Sequence, residues 1–142
     1  MIREATPGDL PRLEAIRAVA LPDSSARLLA FGVRGPAVSL VACEPPDEAD
    51  PVGYAVLLPD DGGGDAYLAE LAVAPGHRRR GLGRSLVEAA ARRVADHDRL
   101  TLTTRADDER ARAFYRDCGF EPVERLPGHY DGEDGVRFAR RP

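Results

Sequence analysis

Lysine is missing from this sequence: all 20 basic residues are arginine. A Walker-type phosphate loop, which needs a lysine followed by Ser or Thr, has no candidate. The chain also offers no side-chain amine for its own modification, leaving only its α-amine. Cysteine is scarce too. Cys43 and Cys118 lie in separate apolar segments, which excludes a disulfide framework and gives no metal-ligand spacing. Both are expected to be reduced core residues, and no metal is expected. No apolar run approaches the roughly 18 residues of a membrane span, and MIREATPGDL lacks the apolar stretch of a signal peptide. A cytoplasmic location with no membrane partner is expected. Excess positive charge is lacking as well: the net charge is -4, whereas a nucleic-acid-binding domain carries a strongly basic face. No nucleic-acid partner is expected, and a local basic patch stands out.

What is present is the balance of a globular protein, with 43% hydrophobic and 31% charged residues in a chain of 142. That length suits a single domain over residues 1–142 with a real core. Thr6, Pro7 and Asp9 read as a helix start. Leu10, Leu13, Ile16 and Ala20 then recur at helical spacing until Leu21 and Pro22. A second short helix is expected over residues 24–31, ending near Gly32. Three strands follow, Ala37–Ala42, Val52–Leu58 and Ala66–Val73, separated by EPPDEAD and PDDGGGD. Such short connections favour antiparallel neighbours. Past Pro75, the segment HRRRGLG opens a helix whose Leu82, Leu86, Val87, Ala90, Ala91 and Val94 share a face. Arg99–Thr104 reads as a strand parallel to the one ending at Val73, because the helix between them is a crossover. Asp107 or Asp108 caps a further helix that Gly119 stops. Pro122–Leu126 and Gly135–Arg141 close the chain as two strands around the loop PGHYDGEDG. The class is α+β, a mixed, mostly antiparallel sheet flanked by helices.

The stretch HRRRGLGRSL, residues 77–86, has three readings. One is a helix entry with solvated arginines. The second is a dinucleotide fingerprint, which fails because it would need glycine where Leu86 stands. The third begins from geometry: a helix N-terminus leaves amides unpaired and carries partial positive charge, so an anion can sit there. Gly81 and Gly83 would let a diphosphate reach those amides, and Arg78, Arg79, Arg80 and Arg84 would neutralise it with forked donors.

Read as Arg78-x-x-Gly81-x-Gly83 after LAELAVAP, and followed by ARAFYRDCGF, the chain resembles the GNAT superfamily of N-acetyltransferases. The likeness runs through nearly the whole chain, from IREATPGDLPRLEAI to the closing hairpin. It implies a single GNAT-like fold with a splayed parallel pair of central strands, and acetyl-CoA as co-substrate. By that resemblance the turn Arg79, Arg80, Gly81, Leu82, Gly83 and Arg84 holds the pyrophosphate, Arg78 and Ser85 also bind the coenzyme, and the pantetheine arm lies beside Leu71, Ala72 and Val73. A backbone amide near Val73 would meet the thioester carbonyl. Tyr115 takes the family's proton-donor position, and the alternative is a core tyrosine. Glu70 is a candidate base, acting through water, or equally a salt-bridged or solvated strand residue. His77 and His129 are weaker candidates.

The ending RLPGHYDGEDGVRFAR is similar to the ribosomal-protein alanine N-acetyltransferase branch. This implies that Tyr130 helps position a peptide N-terminus and that Asp131, Glu133 and Asp134 attract an ammonium; a polar hairpin loop explains the same residues. That branch has a glutamate and an asparagine where this chain has Thr103 and Asp108. Threonine cannot be the base, and Asp108 either alters a cofactor contact or acts as a helix cap. The acceptor is a protein N-terminal amine or a small-molecule amine, and a non-catalytic acyl-CoA-binding module is the alternative to an enzyme. Pairing of the chain with itself as a homodimer stays open.

Overall fold

The computed structural model describes residues 1–24, 27, 29–30, 33, 37–45, 49–60 and 62–142. Half of the helix expected over 24–31, residues 25, 26, 28 and 31, lies outside the described residues. Seven strands form one sheet: β1 (Ile2–Glu4), β2 (Val38–Cys43), β3 (Pro51–Leu58), β4 (Asp65–Val73), β5 (Arg99–Arg105), β6 (Glu121–Tyr130) and β7 (Glu133–Arg140). Their order across the sheet is β1-β2-β3-β4-β5-β7-β6. Every neighbouring pair is antiparallel except β4 with β5. Three helices are described: α1 (Leu10–Ala20), α2 (Leu82–Arg93) and α3 (Glu109–Asp117).

The sheet is buried on both faces because its central strands are apolar at consecutive positions. Val41, Tyr54 and Val56 lie on the face that α1 covers with Leu13 and Ile16, where Leu29 also packs. Leu40, Ala55 and Leu57 face α2, against Leu86, Val87, Ala90 and Ala91. Each such large side chain contributes about 1.5–3 kcal/mol by leaving water, so truncating Leu86 would loosen the helix that carries the glycine turn. Both cysteines are free and buried.

The start of α1 is a 3-10 turn, Pro7–Asp9, rather than α-helix throughout. Asp9 Oδ2 accepts from Thr6 N at 2.8 Å, and both carboxylate oxygens accept from the Arg3 guanidinium at 2.7 and 3.0 Å. This arrangement also fixes β1, a strand too short for its three residues to reveal any alternation. At the other end of the chain, β6 runs on to Tyr130 instead of stopping at Leu126. Gly128, at φ 67°, forms a bulge whose N–H is taken by Asp134 Oδ1 at 3.1 Å. Pro127 and Gly128 are absorbed into the strand, and the turn shrinks to Asp131 (φ 47°) and Gly132 (φ 92°), a two-residue hairpin turn of primed type.

Two irregularities open the centre of the sheet. Leu68 pairs with Leu57 but Glu70 pairs with Val56, so Ala69 is an extra residue in β4. The parallel pairing of β4 with β5 runs only from Asp65–Arg99 to Tyr67–Thr101. Beyond it the two strands diverge, which is the splay expected from the sequence.

Candidate active site

The divergence leaves one edge of β4 unpaired. Ala74 N donates to Val52 O at 2.8 Å. Since backbone groups alternate along a strand, Leu71 and Val73 direct theirs the other way, toward the opening. Val73 O already accepts there, from Arg78 Nε at 3.3 Å.

From Val73 the chain turns through Pro75–His77 into α2. Ser85 N is the first helical amide bonded within this turn, to Gly81 O at 3.0 Å, and no side chain caps the helix, because its N-cap is Gly81. The preceding amides are left for an anion. Gly81 is in the left-handed region at φ 77°, as is Arg79 at φ 63°. A side chain at Gly81 would meet nothing within 4 Å, whereas one at Gly83 would come within 3.1 Å of Phe114 Cζ. The two glycines have different reasons. Gly81 supplies a backbone conformation, while Gly83 allows α3 to approach. An arginine in the left-handed region is uncommon and strained, which fits a turn built for binding.

A cleft of about 520 Å³ lies on this turn, bordered by Leu71, Ala72, Val73, Arg78, Arg79, Gly81, Leu82, Gly83, Arg84, Asp108 and Tyr115. Twelve residues were expected to hold the coenzyme, and these are ten of them, with Tyr115 added. Arg80 and Ser85 stand apart. Arg80 Nη1 donates to both oxygens of Glu44, at 3.0 and 3.2 Å, and His77 Nδ1 also meets Glu44 Oε1. These contacts, His77 foremost, hold the Glu44 carboxyl below its usual range. Ser85 borders a separate depression with Met1, Ile2 and Glu88. Sequence reasoning missed Arg110 and Ala111, which also line the cleft. They lie one turn before Phe114 and Tyr115, so the helical repeat was the signal.

Tyr115 owes its placement to the sequence YRDCGF. Gly119, at φ 90°, lets Phe120 N donate to Tyr115 O at 3.0 Å and Gly119 N to Arg116 O at 2.9 Å. That double bond pattern brings Phe120 back onto Tyr115, ring centroids 5.7 Å apart and nearly perpendicular. Burial first, then the neighbouring Cys118, Asp108 and other tyrosines, push the Tyr115 phenol above its ordinary value, so it stays protonated. Asp108 is the cap of α3, its Oδ1 accepting from Ala111 N at 3.0 Å.

Behind the cleft, the gap between the diverging strands holds about 240 Å³, bordered by Glu70, Leu71, Thr103, Asp108, Tyr115 and Tyr130 among others. A wider mouth of about 880 Å³ shares Glu70, Arg105, Asp108 and Tyr130 with this gap and is bordered also by Asp23, His129 and Asp131. Leu21 and Asp108 border all three spaces. Arg105 lies over the Tyr130 ring, 5.0 Å from its centroid, and was also missed. Asp134 is spent on Arg125, at 2.7 and 3.0 Å, and on Gly128. Of the three hairpin carboxylates only Asp131 borders this mouth. Glu70 is buried, 6% exposed, and Oε1 accepts from the Tyr54 hydroxyl at 2.7 Å, while Oε2 has no partner among the described residues. Burial, the largest influence, raises its carboxyl above the usual range. Among the described residues Glu70 forms no ion pair, and little of it meets solvent.

Among the described residues no group of three or more His, Cys, Asp or Glu could hold a metal, and no helix is long and apolar enough to cross a membrane. Residues 11–120 match the family model described as the acetyltransferase (GNAT) family. The chain belongs to that family. It is 55% identical over 75 residues to mycothiol acetyltransferase of Kineococcus radiotolerans, a match that takes in 52% of this chain and 24% of that one. The chain spans between 22% and 24% of the length of the curated relatives it matches. Among solved structures it is similar to the Escherichia coli ribosomal-protein-S18-alanine N-acetyltransferase, with a TM-score of 0.83 at 25% identity over 98% of this chain and 91% of that one. Arabidopsis thaliana NAA60 in complex with acetyl-CoA superimposes with a TM-score of 0.84 at 22% identity, over 99% and 97% of the two chains. The fold and its splayed parallel pair are those of GNAT enzymes.

Proposed function

We propose that this chain transfers the acetyl group of acetyl-CoA to a primary amine by direct attack within a ternary complex. One observation carries the reading: the cleft on the glycine turn shares Leu71 and Tyr115 with the gap between β4 and β5, and the gap shares Glu70 and Tyr130 with an acidic mouth. Coenzyme and acceptor would enter from opposite sides and meet beside Tyr115. The residues present suit the coenzyme. The amides at the start of α2, with Arg78, Arg79 and Arg84, would hold its pyrophosphate. The free edge of β4 at Leu71 and Val73 would pair with the pantetheine arm as another strand would.

The coenzyme supplies an activated acetyl thioester. The Val73 amide, on the unpaired edge, would donate to the carbonyl oxygen as negative charge grows there. Glu70, its carboxyl raised by burial, would take the proton from the acceptor ammonium, directly or through one water, so that a neutral amine attacks. Tyr115, kept protonated by burial, would give its proton to the departing thiolate. Asp108, occupied as a helix cap, is a wall of the site.

The acceptor is either a protein N-terminal amine, as the name of the S18-alanine neighbour suggests, or a small-molecule amine, as the mycothiol acetyltransferase relatives suggest. Tyr130, braced by Arg105, would position it. Coenzyme A release measured against a panel of peptides and amines tests the reading. Turnover on at least one acceptor, cut by about 10²-fold or more in Tyr115→Phe, is the expected result. Tight acetyl-CoA binding without turnover on any acceptor would make the chain a binding module, which Thr103 in the wall of the gap favours.

A further inference from the structure

Tyr54 lies in β3, opposite Ala72, and is completely buried. A tyrosine in an apolar core needs a partner for its hydroxyl, and here the partner is Glu70 Oε1 at 2.7 Å. The bulge at Ala69 explains the meeting, since the extra residue turns Glu70 onto the face of the sheet that Tyr54 occupies. Glu70 thus has one oxygen tied and the other, Oε2, enclosed without a partner among the described residues at the edge of the β4–β5 gap.

We propose that Tyr54 is a positioning residue for acetyl transfer: its phenol holds Glu70 Oε1 so that Oε2 is left to receive the acceptor's proton. This rests on the reading of Glu70 as the base. In the step itself the proton leaves the ammonium nitrogen for Oε2, the nitrogen keeps the bonding pair, and Tyr54 keeps its own proton. Burial pushes the Tyr54 hydroxyl well above its ordinary value, so it remains a donor at every working pH.

The surroundings of Glu70 let a pH profile isolate this contact. From α1, Arg17 favours the carboxylate and Glu14 opposes it; the two are paired with each other at 2.6 Å. Across the gap stand Arg105, Asp108 and Tyr130. The outer mouth adds Asp23, Asp131 and His129, the single imidazole bordering it among the described residues. His129→Gln serves as the control for that ring.

A hydrogen bond donated to a carboxylate favours its charged form, so removing it raises the pKa. Tyr54→Phe keeps the ring and its packing and deletes only the hydroxyl. The acid limb of kcat/KM, which requires ionised Glu70, should move upward by about one to two pH units. Activity should recover at high pH, and acetyl-CoA affinity should be unchanged. In a Glu70→Gln background the same substitution should have no further effect on kcat/KM. If Glu70→Gln removes the acid limb but Tyr54→Phe leaves it where it was in wild type, the positioning role is wrong and the base stands. If Glu70→Gln retains both rate and limb, the base reading itself is wrong. A loss in Tyr54→Phe that is equal at every pH, or that persists in the Glu70→Gln background, marks Tyr54 as purely structural and overturns the proposal. Thermal melts of each variant separate these outcomes from unfolding.

Discussion

The two mouths of the cleft are built from different material. On the side proposed for the coenzyme the polar groups come from one stretch of chain: uncapped amides at the start of α2, a left-handed glycine and the free edge of β4, beside Arg78, Arg79 and Arg84 of the same turn. On the side proposed for the acceptor the polar groups are side chains drawn from segments far apart in sequence, Asp23 after α1, Glu70 in β4, Arg105 in β5 and Tyr130 in the last hairpin. A backbone cradle needs a local motif and recognises what every acetyl-CoA molecule shares. A side-chain mouth depends on the whole fold, and there one family can vary its acceptor while keeping its coenzyme.

Substitutions on the two sides should therefore separate affinity from chemistry and acceptor choice. The largest effect is expected at their junction. Tyr115→Phe should lower kcat by about 10²-fold while leaving acetyl-CoA affinity within a factor of about two; a parallel loss of both would reduce Tyr115 to a packing residue. Next comes the acceptor side: Tyr130→Ala should raise the acceptor KM about fivefold and leave the coenzyme dissociation constant unchanged. An altered coenzyme constant measured by titration calorimetry would erase the distinction between the mouths. The smallest effect belongs outside both. Asp9 is held by Arg3 and Thr6, chiefly by the Arg3 hydrogen bond, and its carboxyl falls from 3.8 to about 2. A depressed carboxyl stabilises the fold above its unfolded pKa, and that stability is lost as pH falls from about 4 through about 2. Asp9→Asn should lower the melting temperature at neutral pH by about 5 °C, flatten its decline between those pH values, and leave kcat untouched. A changed kcat would tie the α1 entry to the site.

The same contrast explains what could be read in the sequence. The glycine turn, the crossover helix and the Tyr115 helix carry local signals, namely strand, left-handed turn and amphipathic run, and the structure has them with their boundaries nearly as expected. The splay followed from the family likeness and is visible as the end of pairing at Tyr67–Thr101. What escaped depends on distant partners. β1 is three residues that become a strand only beside β2. The last four residues of β6 looked like loop because Pro127 and Gly128 are breakers, until Asp134 closes the bulge around them. Arg80 looked equal to Arg78 and Arg84, yet Glu44, thirty-six positions away, engages it. Tyr54 had no local signal at all, because its partner is reached only across the sheet and only after the bulge at Ala69.

Titration calorimetry of acetyl-CoA against the folded wild type and Gly81→Val tests the central claim most directly. A β-branched side chain is disfavoured at φ 77° and would stand at the helix mouth proposed to hold the pyrophosphate. The account predicts measurable binding to wild type and a dissociation constant at least about tenfold weaker in the variant. Equal constants in two folded proteins, or no binding to wild type, would contradict it.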